Sequence, residues 1–190
     1  MASLYETLRS LEVKTFDGQV FIPQNSLEQT LTEETIKRFL SHKQFHKAFY
    51  KLEELLKVIM EDGKKTLATC ILIHRPLGIL RFLEMDRLQN WDSKLPLSAQ
   101  AAERILKDTA DAEAFSNMQW IFLVPFLDKE KSHRVFESEV ILPFLKSEPF
   151  AKGAFSIVEK VTLFPSYQRL VHTDRGGEVC LYGLLDGYIN

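Results

Sequence analysis

Two cysteines in 190 residues, Cys70 and Cys180, are too few for a disulfide framework. Cys70 lies in the apolar run LATCILI, where a thiol reads as a buried, free side chain. Glycine is scarce as well, at 8 against 14 phenylalanines, and that balance excludes a disordered chain in favour of a packed core. Neither sign of charge dominates. A net charge of -2 gives no bulk attraction to nucleic acid or to an anionic membrane. No apolar run reaches the roughly 20 residues that a membrane helix needs. The opening MASLYETLRSLEVK has no basic start followed by an apolar core, so no secretory signal is read there. The expectation is an intracellular protein, cytoplasmic or nuclear, in a reducing environment.

What is present is an ordinary globular composition, 45% hydrophobic and 26% charged, long enough for one sizeable domain or a domain with a small appendage. Ser3 and Glu6 form a capping box, and Leu4, Leu8 and Leu11 make one helical stripe. Asp17-Gly18 signals a turn, with a short strand or extended link over Gln19 to Ile22. Ser26 and Gln29 repeat the capping pattern and open a short helix. LTEETIKRFLSHK begins a longer one, with Glu33 and Glu34 in its first turn. In QFHKAFYKLEELLKVIMEDG, Phe45, Phe49, Leu52, Leu55, Leu56 and Ile59 fall at helical spacing, and Gly63 ends the run.

TLATCILIHRPLGILRFLEM predicts two buried helices split by Pro76. NWDSKLPLS reads as a loop, followed by helices over Ala99 to Leu106 and Ala110 to Asn117. The composition then turns aromatic and β-branched. MQWIFLVPFLD reads as a strand or a buried extended anchor. From about residue 150 strands are expected, one carrying Phe155, Val158, Val161 and Leu163 and another over Glu178 to Tyr182, with DRGG as the turn between. The fold class is therefore mainly α: a helical, bundle-like domain over 1–148 and a short β-hairpin region over 149–190.

The stretch FAKGAFSIVEKV carries the one candidate site. A protein-kinase glycine loop has the form G-x-G-x-x-G-x-V, whose glycines let a strand-turn-strand backbone approach nucleotide phosphates. Laid over it, Ala151 stands at the first glycine, Gly153 at the second and Ser156 at the third. Phe155 matches the aromatic at the tip and Val158 the valine. With one glycine of three, a plain hairpin containing Gly153 fits as well. Phosphoryl transfer also needs a third-strand Lys, a helical Glu that fixes it, a catalytic Asp and a metal-binding Asp. Where that Lys strand would stand, the sequence reads EVCLYGLLDGYIN, and the other parts have no room before residue 190. HRPLGILRF has Pro76 and Arg81 where the kinase catalytic loop needs Asp and Asn, and it precedes the glycine loop, so a buried helical segment is the reading.

Across most of its length the chain resembles the N-terminal helical region and glycine-loop start of protein-kinase-like proteins of filamentous ascomycete fungi. The resemblance is carried by Phe21 to Leu40 (FIP…L…LT.E.I…L), Gln119 to Phe126 (QW.FL.PF), Leu142 to Leu145 (LPFL) and Ala151 to Val158, in that order. It implies a helical module that accompanies a kinase-like domain, with KGAFSIVEKV as that domain's first hairpin and the rest of the domain truncated.

Other constellations read as scaffold. His42 and His46 are four apart but lack the Glu and third ligand of a metal site. Trp91 and Trp120 read as core or groove anchors. KKTL and DKEKSHR read as solvated loops of mixed charge. The expectation is a non-catalytic interaction or regulatory protein without a required cofactor or metal. Its partner would be a protein, either a full-length kinase-like relative or a second copy, and neither nucleic acid nor membrane. The alternatives are an ATP-binding kinase-like protein, with Ala151, Gly153, Phe155, Ser156 and Val158 on the nucleotide, and a purely structural helical domain.

Overall fold

The computed structural model describes residues 3–45, 52–85, 90–128, 135–152, 157–169 and 179–184, with 151–152, 157–158 and 179–184 described through their backbone alone. The chain is mainly helical and divides into two compact units, Met1–Glu12 with Ile22–Leu123, and Val13–Phe21 with Val124–Asn190.

The first unit holds the helices. Helix α1 (Leu4–Ser10) starts with the expected capping box: Ser3 accepts from the Glu6 N–H, and Glu6 accepts from the Ser3 N–H. Helix α2 spans Gln24–Thr30. It begins directly after Pro23, so Ser26 sits inside its first turn and does not cap it. The fixed φ of a proline is suited to a helix start, and the cap stands three residues before the one that the pattern suggested. Helix α3 (Glu33–Leu40) is capped by Thr32. Helix α4 (Leu52–Asp62) buries Leu55, Leu56, Val58 and Ile59, and ends before Gly63. Phe45 is buried, while Phe49 lies outside the described residues.

Helix α5 (Lys64–Leu72) buries seven consecutive residues, Thr66 to Leu72. A helix that is buried all round belongs at the centre of its neighbours. It packs on α1, α2 and α4, on α6 (Gly78–Met85) and on α8 (Thr109–Met118). Pro76 separates α5 from α6 as expected. Lys64 to Leu67, expected as a solvated loop, is the first turn of α5. Its Thr66 and Leu67 are fully buried, because apolar burial on the inner face outweighs the two lysines at the helix start. Helix α7 (Ala99–Leu106) starts at its Ser98 cap and packs against α6 and α8.

The aromatic run after Asn117 opens as a helical turn instead of a strand, and further along it Leu127 makes an isolated parallel bridge to Gln168. Helix α8 continues to Met118, and Gln119–Phe122 forms a 3-10 turn with Gln119, Ile121 and Phe122 buried. Burial alone does not choose between a strand and a helical turn in so short an apolar run.

The second unit holds the strands. β1 (Val13–Lys14) and β2 (Val20–Phe21) form an antiparallel ribbon around a turn in which Gly18 has φ +87°. The side chains of Thr15 and Asp17 hydrogen-bond inside that turn. β3 (Phe144–Lys152), β4 (Ile157–Leu163) and β5 (Val179–Leu184) form an antiparallel sheet in the order β3-β4-β5. The division expected at 148/149 falls inside β3, which starts six residues before the first expected strand residue. Pro143 and Pro149 hide that strand in the sequence: β3 opens just after the first, and tolerates the second at a register irregularity. Among the described residues, Phe21, Ile141, Val161, Leu163 and Tyr167 are buried apolar residues around this sheet, with Phe164 and Tyr167 edge-on to Phe21.

Candidate functional site

The candidate loop residues run in sequence from the end of β3 to the start of β4. Ala151 and Val158 are directly paired partners at the ends of β3 and β4. Gly153, Phe155 and Ser156 lie outside the described residues. The backbone thus forms strand, connection and strand across the glycine-loop motif, with β5 as a third strand on β4. The pairing runs from Val158↔Leu184 to Leu163↔Val179. The six residues of β5 are Val-Cys-Leu-Tyr-Gly-Leu, so no lysine stands on the strand that would have to reach the phosphates.

A second polar site lies in the helical unit, and the sequence reading missed it. A cleft of about 340 Å³ opens where α4 meets α5, lined by Glu28, Asp62, Lys64, Lys65, Asp92 and Ser93 among others. Helix α5 has Gly63 at its N-cap, which offers no side chain. The cap comes instead from Asp92, far along the chain. One carboxylate oxygen accepts from the Lys65 N–H at 2.8 Å. The other accepts from the Thr66 N–H and the Thr66 hydroxyl, each also at 2.8 Å. These bonds satisfy N–H groups that the helix itself leaves unpaired, and the carboxylate complements the helix dipole.

Burial nevertheless wins at Asp92. Desolvation raises its pKa above the ordinary aspartate value and outweighs the lowering by the Lys65 and Thr66 hydrogen bonds, with a further push from Asp62. Asp62 returns the brace by accepting from the Ser93 N–H at 3.0 Å. The Lys64 ammonium pairs with Glu28 across the cleft. The polar groups of the cleft therefore serve one another, and their chemistry is that of a cross-brace. No group of three or more metal-ligating side chains occurs among the described residues. His42 is exposed, and His46 lies outside the described residues. Because Asp92 and Thr66 are 26 residues apart, no local pattern announced the pairing.

Cys70 is the buried free thiol that its apolar run suggested. Desolvation pushes its pKa upward, so it stays a protonated thiol packed beside Gly78. Trp91 is buried against Phe82, and Trp120 is half-buried. Among the described residues no helix is long and apolar enough to cross a membrane. No family model, curated protein or solved structure matches the chain.

Proposed function

We propose that this chain is a non-catalytic interaction protein, related to fungal protein kinases. In this reading the three-stranded sheet serves as a docking element rather than a nucleotide site. One observation carries it: the third strand of the sheet, β5, has no lysine. A glycine loop can wrap phosphates, but without the lysine the α- and β-phosphates lack the side-chain cation that positions them. The same loop has Ala151 and Ser156 where two of its three glycines would stand. Side chains there hold the backbone farther from a phosphate than glycine does. A sheet edge, by contrast, binds an extended partner strand through main-chain hydrogen bonds and needs no catalytic group.

The partner is a protein, either a full-length kinase-like relative or a second copy of this chain. Calorimetric titration with Mg-ATP tests the reading. The expected outcome is no saturable heat. Saturable binding that is lost on Gly153→Asp would mean a nucleotide site after all, and would overturn it. A pull-down and titration against a full-length relative gives the second arm, where absence of binding at high micromolar concentration removes that partner.

A further inference from the structure

We draw no further inference here: the strongest candidate, the polar cleft where α4 meets α5, is a helix N-terminus beside the carboxylates of Glu28, Asp62 and Asp92, and nothing in it points to a ligand, because Asp92 already caps α5, Lys64 already pairs with Glu28 and Asp62 already accepts from the Ser93 N–H.

Discussion

Asp92 shows how one carboxylate can be both brace and burden. It satisfies three donors at the start of α5, and it gives up solvation to do so. Asp92→Ala leaves the Lys65 and Thr66 N–H groups without their acceptor, and should cost about 1–3 kcal/mol in urea denaturation. The pH dependence has a definite sign. A folded-state pKa above the unfolded value means that the native state holds the proton more tightly. The contribution of Asp92 is therefore least favourable at neutral pH. It improves as pH falls through the raised folded value and is fully gained below the ordinary aspartate value. Asp92→Asn cannot titrate. Wild type should thus gain on this variant between pH 7 and about pH 4, and a gap that stays flat or moves the other way would show that burial does not dominate. Gly63 has a steric role at the same junction. A Cβ there would lie 3.0 Å from both Ile59 Cα and Trp91 Cε3, and 3.3 Å from the Val58 carbonyl oxygen. Gly63→Ala should therefore lower stability by about 1–3 kcal/mol through overpacking, read as a lower urea midpoint at unchanged slope.

Helices were the legible elements, since their signals are local. The cap read at Ser3 accepts from a backbone N–H in the helix that it opens, and α7 has the expected limits. The break at Pro76 was equally plain. Elements fixed by distant partners were not legible. Gln119 is fully buried, and its side-chain amide donates to the Leu97 and Ser116 carbonyls at 2.7 and 2.8 Å while its carbonyl accepts from the Leu97 N–H at 2.7 Å. That clamp ties the loop before α7 to the end of α8, and nothing near Gln119 in sequence names Leu97. Gln119→Leu keeps much of the volume but strands the Leu97 groups, so a loss of about 2–4 kcal/mol is expected in chemical denaturation. Lys107 offers the opposite case. It ends α7 in the left-handed region at φ 60°, donating its N–H to the Glu103 carbonyl at 2.8 Å. Lys107→Gly should raise stability by about 0.5–1 kcal/mol, the relief of strain less the added freedom of the unfolded chain.

At the scale of the whole molecule, the division into units is what the sequence concealed most. A break near residue 148 follows composition, whereas the compact units follow contacts. The second unit draws in Val13–Phe21, which the chain visits more than a hundred residues before β3. Of the two strands that flank the candidate loop, β4 was legible from its alternating apolar residues, whereas β3 was hidden by Pro143 and Pro149. Phe21 reports the assignment of the ribbon to this unit. It is fully buried, with ring centroids 5.5 Å from Phe164 and 5.7 Å from Tyr167, both edge-on. Such pairs are worth about 0.5–1.5 kcal/mol beyond the area they bury. A double-mutant cycle of Phe21→Leu and Tyr167→Leu, followed by thermal unfolding, should therefore return a coupling in that range. A cycle that closes without coupling would show that the Phe21 ring draws nothing from Tyr167 beyond the area it buries.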